Sequence, residues 1–187
     1  MKTQVVVVGG GHAGCEAALA SARLGAETLL LTLDPDKIGQ MSCNPAIGGL
    51  AKGHMVREID ALGGRMGLWA DAATIQFKML NTSKGPAVRA PRGQMDRVVY
   101  AETVKRDLYA TENLTVVQDM VTGLELADGR ANAVTTYLGR RFVAKAFVVT
   151  AGTFLRGKLF FGDQAHPGGR PGAPAPTASP PPPEQAG

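Results

Sequence analysis

A glycine motif near the start of this sequence is the most specific of three residue groups whose types and spacing could do chemistry. Glycines at positions 9, 11 and 14 form a G-x-G-x-x-G pattern between an apolar run and an alanine-rich segment. In dinucleotide sites the first glycine makes a tight turn, the second lets a pyrophosphate approach, and the third lets helix and strand pack closely. The alternative is a purely structural glycine turn. The pattern predicts phosphate binding at Gly9, Gly10, Gly11, His12, Ala13 and Gly14.

The second group is a thiol in a glycine-rich loop. Residues 38–53 place Cys43 among several glycines and a proline, which predicts a loop without a regular element, packed against a flat ring. A thiol beside a ligand pocket is a nucleophile when its pKa is lowered, whereas a buried cysteine is inert. Spacing alone favours the buried, inert interpretation for Cys43, and it predicts that Cys15 is a packing residue. No Cys and His spacing indicates a metal site.

The third group is a set of cations in a segment rich in glycine and proline. Lys84, Arg89 and Arg92 lie within residues 81–92. Cations on such a loop suit phosphate groups of a cofactor or of an RNA backbone, and a solvated basic loop is the alternative. The chain has 20 Lys and Arg against 16 Asp and Glu, which is compatible with a nucleic-acid partner without requiring one.

The elements that position the glycine motif form a predicted βαβ unit. Residues 4–8 are a β-branched run typical of a buried parallel strand, residues 15–23 continue as a helix, and residues 28–33 form a second strand. A dinucleotide site usually has an acidic side chain at the end of that second strand. Thr32 stands there, and the first carboxylate is Asp34, which either contacts a ribose or belongs to a turn before Pro35.

Further along, the patterns predict two helices and several strands. Helices are expected over residues 54–62 and 96–109, the second with Asp96 as N-cap. Its predicted core residues are Val98, Val99, Val104 and Leu108. A strand over residues 75–80 precedes it. Short strands follow at 114–118, 121–126, 133–137 and 141–143, with a hairpin turn at Asp128-Gly129, and then a buried apolar strand within 147–152.

Composition predicts one folded domain with an extended end. The chain has 187 residues and is 44% hydrophobic, enough for one core. Proline concentrates from residue 167 onward, so residues 1–162 are predicted to fold and residues 163–187 to form a disordered tail. No apolar run reaches the length of a membrane span and no signal peptide pattern is present, which favours a cytoplasmic protein without a membrane partner.

Several motifs together resemble the N-terminal part of the MnmG/GidA family, the FAD-dependent tRNA uridine 5-carboxymethylaminomethyl modification enzymes. The motifs extend from about residue 5 to about residue 170 and are GGGHAG, CEAALASARLGAETLLLT, IGQMSCNPAIGG, EIDALGG, IQFKMLNTSKGPAVRA and AKAFVVTAGTFLRGK. The resemblance implies an α/β fold: an FAD/NAD(P)-binding Rossmann-like half-domain of the glutathione-reductase type, with a parallel sheet, helices and an antiparallel β-meander.

The resemblance also implies chemistry that the residues alone do not. The family adds an aminomethyl or carboxymethylaminomethyl group to C5 of the wobble uridine of tRNA, using FAD, NADH and methylene-tetrahydrofolate, as a homodimer with an MnmE-type GTPase partner. It implies that residues 9–14 bind the FAD pyrophosphate and that the backbone of Val121 contacts the adenine side. Cys43 matches one of two cysteines needed for activity. Lys84, Arg89 and Arg92 fall in the region near flavin and tRNA.

The chain departs from the family in two respects. Pro167 stands where the family has a serine that contacts FAD, and the family continues far beyond the length of this chain, with its second cysteine in that continuation. The expectation is an N-terminal fragment with incomplete activity. Two other functions remain open: a small NAD(P)-linked oxidoreductase, and a non-catalytic remnant that binds FAD or tRNA.

Overall fold

The structure is a computed structural model that describes residues 3–152 and 158–167. Its helices, in chain order, are α1 (His12–Arg23), α2 (Lys52–Ala61), α3 (Met66–Ala73) and α4 (Arg97–Ala110). Its strands are β1 (Val5–Val8), β2 (Thr28–Thr32), β3 (Ala46–Gly48), β4 (Thr74–Leu80), β5 (Ala90–Met95), β6 (Leu114–Gln118), β7 (Val121–Ala127), β8 (Arg130–Thr136), β9 (Arg141–Val143), β10 (Ala146–Val149), β11 (Lys158–Phe161) and β12 (Gln164–Pro167).

A four-stranded parallel sheet in the order β10-β1-β2-β6 is the centre of the fold. The predicted βαβ unit is confirmed, because β1 and β2 pair in parallel on either side of α1 in the sequence. Val6 and Val7 alternate between two apolar clusters, one on each face of the sheet, and both are fully buried. Burial on both faces explains why β1 is an uninterrupted β-branched run.

One face of the sheet packs against α1, α3 and α4. The second predicted long helix is confirmed, with the Asp96 carboxylate accepting from two first-turn N–H groups as its N-cap. Val104 and Leu108 are buried as predicted, but Val98 and Val99 are 65% and 40% exposed. Tyr100, four residues before Val104, completes the buried stripe instead, since residues four apart share a helix face.

Helix α3 has no counterpart among the predicted elements, and its capping explains why. The residue at its N-cap position provides no side-chain hydrogen bond. Glu16 on α1 accepts from the backbone N–H groups of Arg65 and Met66 instead. Asp107 on α4 then accepts from Trp69 Nε1 at 2.7 Å. A helix whose cap lies 49 residues away carries no local start signal.

Two three-stranded antiparallel sheets accompany the parallel sheet. The predicted meander is confirmed as β7-β8-β9, and Asp128 and Gly129 both have positive φ at its first turn. The second sheet, β3-β5-β4, corrects two predictions. Residues 38–53 are not wholly irregular, because Ala46 pairs with Gln94. The basic loop is shorter than predicted, because β5 begins at residue 90.

The last strand of the parallel sheet is less buried than predicted. Among the described strands, β10 pairs with β1 alone, and Val148 is 37% exposed and Val149 is 56% exposed. Beyond it, β11 and β12 pair across the predicted domain limit at residue 162. The rest of the predicted tail, residues 168–187, lies outside the described residues, and the domain division stays a prediction. None of the described helices is long and apolar enough to cross a membrane.

Candidate functional site

The glycine loop lies where the parallel strands end. Backbone hydrogen bonds tie it to three neighbouring segments: Gly9 N donates to Leu31 O at 2.8 Å, Thr150 N donates to Val8 O at 2.8 Å, and Gly39 N donates to Gly10 O at 3.0 Å. The loop is thus fixed at the carboxyl edge of the sheet, the edge at which α/β proteins bind nucleotides.

The three motif glycines differ in what surrounds them. Gly9 has φ +111°, and a Cβ built there would lie 2.7 Å from Thr150 O. A Cβ on Gly14 would overlap the carbonyl oxygen of Gly9. A Cβ on Gly11 would meet no atom within 4 Å. Gly9 and Gly14 are therefore required by the protein itself, whereas the open side of Gly11 is a cradle that fits a ligand approaching the backbone.

The start of α1 faces this cradle with its own positive end. Gly11 is the N-cap and has no side chain to accept from the first-turn N–H groups, and the first turn contains no acidic residue. A helix start of this kind favours an anion. His12, the first residue of the helix, packs its ring edge-on against Tyr100 at 5.6 Å between centroids. This ring contact packs the start of α1 against α4.

Just beyond the end of β2, the Asp34 carboxylate is part of a turn. Asp34 Oδ1 accepts from Asp36 N at 3.0 Å, and Lys37 Nζ lies 3.0 Å from Asp34 Oδ2. The hydrogen bond from Lys37 lowers the pKa of the Asp34 carboxyl. The carboxylate therefore caps the short 3-10 helix Pro35–Lys37, as the turn interpretation expects. Thr32 is the residue beside the glycine loop, since a Cβ on Gly10 would lie 2.8 Å from its Oγ1.

Val121 starts the meander at the same edge of the sheet. Asp119 N donates to Thr32 O at 2.9 Å, which joins the turn before Val121 to the end of β2. The buried Asp119 carboxylate accepts from Arg140 Nε at 2.6 Å. Although burial opposes ionisation of Asp119, hydrogen bonds from Thr136 and Arg140 lower its pKa. An ion pair between the buried Asp119 carboxylate and the exposed Arg140 side chain thus holds the segment that contains the backbone of Val121.

The two cysteines have opposite environments. Cys15 is fully buried, its Sγ lies 3.4 Å from Gly10 O, and burial raises the pKa of its thiol to about 12. The packing role predicted for Cys15 agrees with this placement. Cys43 is exposed, so the burial expected from spacing alone is wrong, and the reactivity of its thiol stays a prediction. Its loop is joined to the glycine loop through Gly39, four residues earlier, whose N–H donates to Gly10 O.

The predicted phosphate-binding cations are divided between a loop and a strand. Lys84 and Arg89 are exposed in the connection between β4 and β5, where Arg89 Nε donates to Lys84 O at 3.2 Å. Arg92 lies on β5 and is half-buried. Among the residues that the structure describes, no cluster of three or more His, Cys, Asp or Glu could hold a metal ion.

Thr150 is a site residue that the sequence analysis missed. Its Oγ1 donates to Val8 O at 2.8 Å and to Gly9 O at 3.1 Å, so it holds the turn that begins the glycine loop. The predicted strand within residues 147–152 contained Thr150, and the observed strand β10 ends one residue before it. Residues in that position share the carboxyl edge with the glycine motif.

Comparison with known protein families assigns this arrangement. The family model described as glucose inhibited division protein A (GidA) matches residues 4–179. The chain belongs to the GidA family. A curated GidA-family relative, the tRNA uridine 5-carboxymethylaminomethyl modification enzyme MnmG of Geobacter sulfurreducens, is 56% identical over 168 residues, covering 90% of this chain and 27% of its own. The MnmG of Heliobacterium modesticaldum is 55% identical, covering 90% and 26%.

Solved structures agree with the family assignment. A crystal structure of Aquifex aeolicus GidA has a TM-score of 0.89 and 54% identity, covering 93% of this chain and 29% of that chain. The GidA-related protein of Thermus thermophilus has a TM-score of 0.66 at 22% identity, covering 94% and 64%. A probable FAD-dependent monooxygenase of Pseudomonas aeruginosa has a TM-score of 0.55 at 13% identity, covering 79% and 42%, which indicates the fold alone. The predicted Rossmann-like α/β fold is confirmed, and the chain spans about a quarter of the length of its curated relatives.

Proposed function

We propose that this chain forms the FAD-binding, N-terminal part of an enzyme that adds the aminomethyl or carboxymethylaminomethyl group to C5 of the wobble uridine in tRNA. The names of the curated relatives support the tRNA reaction. The observation that carries the cofactor assignment is the contrast within the glycine motif. Among the three motif glycines, Gly11 alone has open space at its Cβ position, and it stands at a helix start on the carboxyl edge of the sheet.

In this proposal residues 9–14 hold the pyrophosphate of FAD. The backbone at Gly11 approaches the phosphate, the start of α1 stabilises its charge, and the backbone of Val121 contacts the adenine side. FAD is the cofactor that membership of the GidA family implies, and at the end of β2 Thr32 lies beside the glycine loop while the Asp34 carboxylate is engaged by Asp36 N and Lys37. When bound, FAD supplies two-electron redox chemistry, with NADH as the reductant.

Cys43 is the proposed catalytic thiol. An exposed thiol on a loop that is anchored to the glycine turn can reach a nucleotide base, whereas the Cys15 thiol is buried and held protonated by a pKa of about 12. A thiol becomes a nucleophile only after it loses its proton. Cys43 would need a base or a cation near it in the assembled enzyme.

The remaining components are proposed for the whole enzyme. Methylene-tetrahydrofolate supplies the one-carbon unit, an MnmE-type GTPase is the partner, and the enzyme acts as a homodimer in the cytoplasm. Lys84, Arg89 and Arg92 contact phosphate groups of tRNA. Since the chain spans about a quarter of its relatives, these activities require segments equivalent to the rest of those proteins.

A chimera tests the proposed function. The matched 168-residue segment of the Geobacter sulfurreducens MnmG would be replaced by the corresponding segment of this chain, and tRNA nucleosides would be measured by mass spectrometry in cells that lack their own enzyme. We expect the chimera to restore the modified uridine. We expect Cys43→Ser to abolish it and Ser42→Ala, a change at an exposed neighbour, to leave it intact. A chimera that folds and binds FAD but leaves the uridine unmodified would contradict the proposal.

A further inference from the structure

One short part of the chain carries a charge equal to the net charge of the whole protein. Residues 72–95 contain no Asp or Glu but contain four cations, while the chain has 20 Lys and Arg against 16 Asp and Glu. Setting those four aside leaves 16 cations, the same number as the acidic residues. Charge concentrated in this way marks an electrostatic binding surface. The four cations are Lys78, Lys84, Arg89 and Arg92.

The sheet β3-β5-β4 brings two of these cations together. Lys78 on β4 is directly paired with Arg92 on β5. Paired residues of antiparallel strands project from the same face with Cβ atoms about 4.5–5.5 Å apart, and like charges in that position destabilise the sheet. On the other side of Arg92 is Gly48 of β3, which has no side chain to cover it. The next pair along the same face is Gln76 with Gln94.

In the described part of the chain, neither of these two cations forms an ion pair with an acidic side chain. Within residues 3–152 and 158–167, the ion pairs engage Lys37, Arg65, Arg140 and Arg141, and none involves the four cations of residues 72–95. The contact of Arg89 with the carbonyl oxygen of Lys84 fixes the loop without neutralising either charge. An uncompensated cross-strand pair of cations is stabilised when an anion lies between the two side chains.

We infer that this cationic face binds the phosphodiester backbone of RNA, and that Lys78 and Arg92 together hold one phosphate. The inference rests on the proposed function for the identity of the RNA as tRNA, and it adds Lys78 to the contacts. A phosphodiester backbone presents charges in a row, which matches cations that begin on the strand pair and continue at Lys84 and Arg89. The amides of the paired glutamines add donors for phosphate and sugar oxygens.

The test measures tRNA binding by the 187-residue chain. Fluorescence anisotropy of labelled bulk tRNA would be recorded between about 50 and 200 mM salt, the range in which phosphate contacts change affinity most clearly. The test variant is Lys78→Gln with Arg92→Gln. The matched control removes the same charge at exposed positions elsewhere, as Lys145→Gln with Arg130→Gln. FAD affinity would be measured for all of these proteins.

We expect the test variant to bind tRNA about tenfold more weakly, with a slope of log affinity against log salt that is smaller by about 1 to 2. We expect the control variant to remain within about twofold of the unmodified chain, and FAD affinity to be unchanged throughout. Equal weakening of both variants would overturn the inference, because it would show a response to net charge alone. So would failure of the unmodified chain to bind tRNA at low salt.

Two further results separate this inference from the proposed function. Loss of FAD affinity in the test variant would assign the face to a cofactor phosphate, which overturns the inference and leaves the FAD proposal standing. Displacement of tRNA by polyglutamate at equal charge concentration would indicate an acidic protein as the partner, and this too would overturn it. Absence of FAD binding together with intact tRNA binding would contradict the proposed cofactor but not the cationic face.

Discussion

Adding one methyl group at Gly11 separates binding from folding. Gly11 has φ −75° and ψ −178°, which alanine adopts without strain, and its Cβ would meet no atom within 4 Å. Alanine is a poorer N-cap than glycine, which lowers the stability of the folded state. Alanine also reduces the conformational entropy of the unfolded chain, which raises the stability by about 0.4–1 kcal/mol and offsets the loss at the cap. We therefore expect Gly11→Ala to change the free energy of unfolding by less than about 1 kcal/mol.

The same methyl group fills the space that a pyrophosphate would occupy. Losing one hydrogen bond from a backbone N–H to a charged phosphate costs about 1.5–3 kcal/mol. That loss corresponds to a dissociation constant for FAD that is higher by roughly 10- to 100-fold. Gly14→Ala should behave differently, because its methyl group would overlap the Gly9 carbonyl oxygen and prevent the close packing of α1 on β1.

Urea unfolding and FAD titration by flavin fluorescence would measure the two quantities for each protein. Gly85→Ala is the matched control, because Gly85 also has open space and an ordinary φ of −62°. Like Gly11→Ala, it should change the free energy of unfolding by less than about 1 kcal/mol, but it should leave the FAD affinity unaltered. Unchanged FAD affinity in Gly11→Ala would refute the assignment of this loop to the pyrophosphate. A large loss of stability would refute the claim that the space is open.

Two further predictions concern the supports of the site. Glu16→Ala removes the acceptor of the Arg65 and Met66 N–H groups at the start of α3 and should lower the free energy of unfolding by about 2 kcal/mol in urea titrations. A loss below about 0.5 kcal/mol would contradict this cap. Arg140→Gln removes the charged donor to the buried Asp119 carboxylate and should lower the free energy of unfolding by roughly 2 kcal/mol at pH 7. Because the pKa of Asp119 is lowered in the folded state, its contribution is present above about pH 4 and is lost as pH falls through the folded-state pKa. The free energies of unfolding of the unmodified chain and of Arg140→Gln should therefore converge as the pH falls. A constant difference between them down to pH 2 would exclude Asp119 as the group that causes the loss of stability.

Local signals were sufficient for much of the fold. The β-branched run of β1, the Asp96 cap of α4 and the Asp128-Gly129 turn each specify their element through neighbouring residues alone. Helix α3 depends on Glu16, and strand β3 depends on pairing with β5, so neither has a signal within its own residues. The exposure of β10 follows from its place at the sheet edge, which periodicity does not reveal.

In the candidate site, too, some features follow from local residue types and others depend on how distant segments pack. The glycine spacing predicts which backbone positions need space, because that requirement is written in the residue types. The exposure of Cys43 depends on how its loop packs, and the spacing of glycines around it favoured burial instead. Lys78 and Arg92 are not neighbours in the sequence. They are paired by the register of β4 against β5, which the residue types of either strand do not specify.

Titration of the purified, unmodified chain with FAD tests the central claim most directly. Flavin fluorescence and the melting temperature would be followed as FAD is added, because a ligand that binds only the folded state raises its melting temperature. We predict saturable binding of one FAD per chain and a rise in melting temperature of several degrees at about 100-fold excess over the dissociation constant. A folded chain that shows neither saturable binding nor a shift at saturating FAD would contradict the claim that residues 9–14 form an FAD site.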